Sequence, residues 1–249
     1  MKKSFITLFL ALVAFQAISQ VTRIDTVNMD HIIFPKKKGN IQIQNSFSYT
    51  IALKGFGIEQ YPKILNQTNS SDLHTSYLNG LLFKYNDNQI SYRFSGSLIK
   101  ESIRFKNECN DCEDTEGKLS DYQFRTGFEK SILYTRLQPY FGASIGYRNN
   151  KFKGSSKAAG SSYTVTPYDV VAEKSGFIVG PLAGLRFNLI DHLTISSELG
   201  FDVFYSHERQ EKTFSDLNRT KTVQTKNRMD FLTKPLAMFS LQYNFGLNN

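Results

Sequence analysis

Cys109-Asn-Asp-Cys112 holds the only two cysteines of this 249-residue chain. Glu108, Asp111, Glu113, Asp114 and Glu116 crowd the same segment. Redox catalysis at a Cys-x-x-Cys needs a helix N-terminus in a βαβ unit to lower a thiol pKa. This segment has neither, and its acids push the pKa the other way. A second Cys-x-x-Cys for tetrahedral zinc is missing. The spacing therefore suits a small disulfide between Cys109 and Cys112 in an oxidising compartment, ahead of a metal site or redox catalysis. The acids suit a solvated loop, with weak divalent-cation binding as their other use.

The four histidines, His31, His74, His192 and His207, show no metal-ligand spacing. His74 and His207 have Asp72, Ser76, Asp202 and Ser206 near them in sequence, residue types that a hydrolase or acyltransferase uses. Nothing in the spacing assembles these six. No glycine loop for a nucleotide is present either. The expectation is a chain with no catalytic residue, no metal and no cofactor. The last residues with chemical potential are Arg93, Arg125, Arg148 and Arg186, with Glu101, Glu129, Glu198 and Asp202. Their meaning depends on which way the backbone turns them.

That backbone carries a period of two. From Ile41 to Leu53 the odd positions read Ile, Ile, Asn, Phe, Tyr, Ile, Leu, and the even positions from Gln42 to Lys54 read Gln, Gln, Ser, Ser, Thr, Ala, Lys. A strand sends successive side chains to opposite faces, so this stretch has one apolar and one polar face. Eight such stretches are expected, at about 40–58, 74–85, 89–105, 119–132, 137–148, 175–189, 193–206 and 230–245. The connections between them run long, short, long, short, long, short, long. Asn86-Asp87-Asn88 reads as a tight turn. Leu78 and Leu82 conflict with the polar face of the second stretch. Pro181 and Pro235 each predict a bulge or one lost ladder bond, near a rim.

The N-terminus reads as a secretion leader. Lys2 and Lys3 precede an apolar run from Phe5 to Ile18, and Ala17-Ile18-Ser19 places small residues for cleavage before Gln20. No other run approaches 18 apolar residues. Residues 1–19 are the expected signal peptide, 20–39 a periplasmic segment and 40–249 the folded domain. The formal charge of +8 becomes +6 once Lys2 and Lys3 leave. Many of the cations fall in the long connections, among acids, and no nucleic-acid motif accompanies them. No nucleic-acid partner is expected. Anionic lipopolysaccharide and outer-membrane lipid are the expected neighbours, with an unidentified extracellular partner for the loops.

A secretion leader, eight alternating strands and alternating connection lengths together predict an all-β protein. It is an eight-stranded antiparallel up-and-down transmembrane β-barrel in the outer membrane of a Gram-negative cell, with short periplasmic turns and long extracellular loops. A lipocalin is the inside-out alternative. The polar face is mostly Gly, Ser, Thr and Gln, and the apolar face is rich in Phe and Tyr, which favours the membrane reading. Tyr49, Tyr77, Tyr85, Tyr92, Tyr122, Tyr147, Tyr205 and Tyr243 are the candidate interfacial girdle. The eight Arg, Glu and Asp residues above then point into a bore barely wider than its side chains. They either plug it with ion pairs or form a selective constriction.

The final stretch, Lys234-Pro-Leu-Ala-Met-Phe-Ser-Leu-Gln-Tyr-Asn-Phe245, resembles the C-terminal assembly signal of outer-membrane barrels, with Tyr243-x-Phe245 as its aromatic pair. Gly246-Leu-Asn-Asn249 extends beyond it, where the family pattern ends on the aromatic. Pro139-Tyr-Phe-Gly-Ala-Ser-Ile-Gly-Tyr147 and Gly180-Pro-Leu-Ala-Gly-Leu-Arg-Phe187 resemble strands of small Bacteroidetes-type barrels, including PorT-like proteins and the OmpA/OmpX kind. The resemblance implies insertion by the barrel assembly machinery and supplies no catalytic residue. A structural or surface-interaction role is the leading expectation. A passive small-solute pore is the alternative, followed by a rim enzyme or a soluble lipocalin-like carrier.

Overall fold

The computed structural model describes residues 46–65, 67, 73–106, 113–158, 166–216 and 219–247. The expected leader, the segment 20–39, the start of the first strand, Asp72 and the Cys109–Cys112 pair lie outside the described residues. Eight strands follow in order: β1 Phe47–Gln60, β2 Leu73–Asp87, β3 Ile90–Lys106, β4 Glu113–Ser131, β5 Leu137–Ala158, β6 Tyr168–Ile190, β7 Leu193–Phe214 and β8 Lys221–Leu247. Each pairs antiparallel with its sequence neighbours, and β1 pairs with β8 to close the ring. Three tight turns, at residues 88–89, 132–136 and 191–192, mark one end of the barrel. The opposite end carries the longer connections.

Several strands run further than hydropathy implies. β4 starts at Glu113, β5 reaches Ala158, β6 starts at Tyr168, β7 reaches Phe214 and β8 starts at Lys221. Much of what reads as loop at 106–118, 149–174 and 207–229 is therefore strand. The reason is a second, inverted zone. In it Thr115, Leu119, Phe152, Tyr168, Val170 and Ala172 point inward and are buried, while Lys118, Lys153 and Asp169 face out. Charge on the outer face hides the strand from a search for apolar faces, yet the period of two persists.

Below that zone the faces are reversed. An apolar belt faces outward, from Phe177 to Leu189 on β6 and from Leu193 to Tyr205 on β7. Phe124, Phe177 and Leu81 are 65%, 67% and 61% exposed. All eight candidate girdle tyrosines face outward. Tyr49, Tyr85, Tyr92 and Tyr243 gather near the turn end, where Tyr49 stacks on Phe245 at 5.5 Å. Tyr77, Tyr122, Tyr147 and Tyr205 lie at the other edge of the belt.

The irregular residues have local explanations. β1 and β2 shift register between Lys54 and Phe56, a bulge that turns Leu78 outward with φ of 43°. Leu82 stays inside, packed with Ala52 and Met238. Pro235 lies at a bulge in the β7–β8 ladder, where the register shifts between Glu198 and Gly200. Pro181 sits in the middle of the apolar belt rather than near a rim. The β6–β7 pairing skips Gly180 and Pro181 and resumes in the same register, as expected where a donor is missing. β2 and β3 pair only from Gly80 to Asp87, so the seam above Gly80 and Ser97 has no ladder. Tyr61, Ile64 and Leu65, from the β1–β2 connection, cluster with Ile99 and Phe105 from β3 at that height.

Candidate functional site

Strand alternation places all eight expected charged residues on the inward parity, and ion pairs bind seven of them in layers. The layer nearest the turn end is built on Glu129 of β4, which is fully buried. Lys84 Nζ of β2 donates to its Oε1 at 2.7 Å, Arg93 Nη1 of β3 to its Oε2 at 3.2 Å, and Arg186 Nη2 of β6 to its Oε1. Arg93 also forks onto Glu198 of β7, at 2.7 and 3.2 Å. The Tyr140 hydroxyl of β5 donates to the same carboxylate at 3.3 Å. Its ring lies 4.5 Å from the Arg186 guanidinium and 5.5 Å from Lys84 Nζ, so the aromatic face shares the positive charge. Bidentate geometry and several donors per carboxylate are what buried charges require.

The next layer centres on Asp202 of β7. Arg125 Nη1 of β4 donates to it at 2.8 Å and Lys234 Nζ of β8 lies 2.8 Å away. Lys234 also reaches Glu59 of β1 at 3.2 Å. Above them Arg148 of β5 forks onto Asp121 of β4 at 2.9 and 2.6 Å, both side chains fully buried. Near the start of the inverted zone, Lys174 of β6 donates to Asp230 at 2.7 Å and to the Lys63 carbonyl at 2.9 Å. Its pKa is lowered by burial, against the pull of Asp230. Ile178, Phe204 and Leu232 form an apolar block in the bore. The inward cluster of Tyr61, Leu119, Phe152 and Tyr168 occupies the interior of the outer zone.

Glu101 stands outside this network. Its carboxylate lies 3.7 Å from His74 Nδ1, and both are partly exposed. His74 in turn stacks on the Tyr61 ring at 4.4 Å. His207 faces out and meets Asn227 at 2.9 Å. Asp202 is held by Arg125 and Lys234, Ser76 accepts from Asn79 at 2.6 Å, and Ser206 donates to the Arg228 carbonyl at 3.3 Å. The two histidines thus keep separate partners. Tyr243 and Phe245 face outward on β8, their rings 6.2 Å apart, beside β1. β8 continues to Leu247, which pairs with Phe47, and Gly246 takes φ of 73°.

Charged network residues beyond the expected eight include Lys84, Glu59, Lys234, Asp121, Lys174 and Asp230. Lys84 and Asp121 were within reach of alternation alone, because they fall on the faces opposite Phe83 and Tyr122. Glu59 was not. The bulge at Gly55 reverses the parity of β1, turning an outward odd position inward.

The bore is narrow between these layers. A gap of about 30 Å³ lies among Lys54, Arg93, Arg125, Glu198, Asp202 and Lys234. At the turn end a vestibule of about 800 Å³ opens, lined by Thr50, Asn86, Arg136, Arg186, His192 and Asn244 among others. Its asparagine amides bond to threonine hydroxyls: Asn86 donates to Thr50 at 3.1 Å, Thr50 to Asn244 at 2.7 Å, and Asn244 to Thr194 at 3.0 Å.

No protein-family profile matches the chain, and no curated protein does. Among solved structures it is similar to the outer membrane protein OprG from Pseudomonas aeruginosa, with 12% identity and a TM-score of 0.48. That match covers 83% of this chain and all of OprG. It is similar also to the outer membrane protein W of E. coli, with 13% identity and a TM-score of 0.39, over 80% of this chain and 98% of that one. No residue role passes from either to this chain.

Proposed function

We propose that the chain is an integral outer-membrane β-barrel of a Gram-negative cell, with a sealed bore and with its outer hairpins as the working part. The belt supports the location. From Phe177 to Leu189 is about twelve residue steps of about 3.3 Å, and a strand tilt of about 40° makes that about 30 Å across the layer. Exposed phenyl rings around that height, over ion pairs inside, suit lipid outside and a polar bore. A water-soluble carrier needs the reverse. The closed ring also pairs most of the backbone amides that hydrocarbon leaves without partners.

The observation that carries the sealed bore is the Glu129 layer. Side chains from β2, β3, β4 and β6 meet on one carboxylate and bridge the lumen there. The gap above it holds about one water, too little for a hydrated solute. A passive pore is therefore the second reading, open only if these pairs part. No catalytic role is assigned. Tyr243 and Phe245 are the surface that the barrel assembly machinery reads in this proposal, and the class pattern of β5 and β6 supports a PorT-like affiliation. Residues 1–19 serve as the cleaved leader.

The test is migration of the outer-membrane fraction in SDS gels, unboiled against boiled. A closed barrel resists unheated SDS and shifts on boiling. A single unshifted band in the soluble periplasm contradicts the location and restores the inside-out carrier.

A further inference from the structure

Just beyond the belt, on the outward face of β3 to β6, positive charge is placed where sheet energetics disfavours it. Lys118 of β4 and Lys153 of β5 are direct cross-strand partners, and both point outward. Like charges directly opposite on a sheet repel at a Cβ separation of about 5 Å. Among the described residues no carboxylate lies within ion-pair distance of either. The row below, nearer the belt, pairs Lys100 with Ser120 and Ser120 with Lys151. There only Glu173 answers, 3.2 Å from Lys151. Asn149 and Lys151 hold the Glu173 carboxyl below its usual range, so it stays anionic and committed to that lysine.

The lysine pair borders a shallow depression of about 610 Å³, to which Ser102, Arg104, Glu116 and Asp169 also contribute. The two acids belong to the next row outward, where Glu116 is the register partner of Arg104 and Asp169 of Ser155. Arg104 is bonded to Asp114. The two rows closest to the belt are thus net positive on these strands, with Glu173 their one acid, and the other acids lie farther out. Lys118 is four residues from Tyr122, the last outward aromatic of β4, about 13 Å along the strand. That is the headgroup level of a leaflet whose hydrocarbon covers the belt.

We propose that Lys118 and Lys153, with Lys100 beside them, form a site for the phosphates of an outer-leaflet glycolipid headgroup, the lipid A class. The inference rests on the membrane reading above and assigns that reading a lipid contact. Diphosphorylated lipid A supplies the missing anion and keeps its acyl chains against the belt. The paired lysines are tolerated because the bound phosphate removes their repulsion.

The test is equilibrium binding of diphosphoryl lipid A to the full chain folded in neutral detergent micelles, for wild type and for Lys118→Gln/Lys153→Gln. Dephosphorylated lipid A and inorganic phosphate are run as further probes. The double variant is expected to bind diphosphoryl lipid A at least about tenfold more weakly. Lys157→Gln, on an outer row, is expected to stay within about twofold. Without lipid the double variant is expected to resist urea at least as well as wild type, because a repulsion is gone. Added lipid A is expected to raise the urea midpoint of wild type alone. Equal binding by wild type and double variant overturns the site. So does equal binding of the dephosphorylated lipid, or inorganic phosphate binding as tightly as the lipid. Gel shifts on the same samples separate the two claims. A shifted barrel that ignores the phosphates sinks the site alone, and an unshifted wild type sinks the membrane reading with it.

Discussion

Replacing Glu129 by Gln is the sharpest perturbation of the bore. The carboxylate is fully buried and accepts from Lys84, Arg93 and Arg186. Its layer holds these three cations against two acids, Glu129 and Glu198. The amide keeps the volume and one acceptor oxygen but removes the charge, leaving three buried cations against Glu198 alone. Removing one partner of a buried pair costs about 3–5 kcal/mol, because the remaining charge keeps its desolvation penalty. That is roughly two to four decades in the folded-to-unfolded ratio. Urea titration of the barrel in lipid vesicles, followed by the boiled-against-unboiled gel shift, reads the loss as a lower midpoint. Lys84→Met in the Glu129→Gln background removes one orphaned cation, so the double variant is expected to be more stable than the sum of the single losses implies. Glu101→Gln serves as the comparison. Its carboxylate is partly exposed and faces only His74, so its loss is expected to stay below about 1 kcal/mol. A Glu129→Gln barrel within about 1 kcal/mol of wild type refutes the claim that this network is a structural plug.

Phe152→Ala removes a fully buried ring from the outer-zone cluster and is expected to cost about 3–5 kcal/mol. Protease nicking of the outer hairpins, with the gel shift of the belt preserved, locates the damage. Gly184→Ala places a Cβ 2.4 Å from Tyr140 Cζ and 2.5 Å from the Ser197 carbonyl oxygen, so the ring that bridges Arg186 and Glu198 must move. A loss of about 1–3 kcal/mol in urea titration is expected, and an unchanged midpoint contradicts the packing. Glu173 titrates below its ordinary value of 4.5, first through the Asn149 hydrogen bond. Its contribution is complete above that value and is lost as pH falls through the depressed folded value. Carboxyl NMR titration of the Asn149→Ala variant is expected to move the midpoint upward.

The belt was legible because most strands there have one largely apolar face, as on β7 from Leu193 to Tyr205, where Ser197 is the one polar outward residue. The eight expected inward charges were legible by the same parity, although Glu101 meets His74 and not the network. The outer zone was not. Phe152 and Val170 carry its core on strands whose other faces hold Lys153 and Asp169, so mean hydropathy reads them as loop. The bulge at Gly55 escaped for a different reason. One added residue reverses every later side chain on β1, and nothing in the local composition announces it. That is why Glu59 entered the Asp202 layer unforeseen. Leu82 looked like an error of pattern and is a core residue, since an eight-stranded bore needs apolar filling between its ion pairs.

Planar-bilayer recording of the purified, heat-modifiable barrel tests the sealed bore most directly. The account predicts a silent membrane, with no discrete current steps in molar salt across the usual voltage range. Reproducible steps that scale with salt concentration, and that change in Arg93 or Glu129 variants, contradict it and make the same residues a constriction of a working pore.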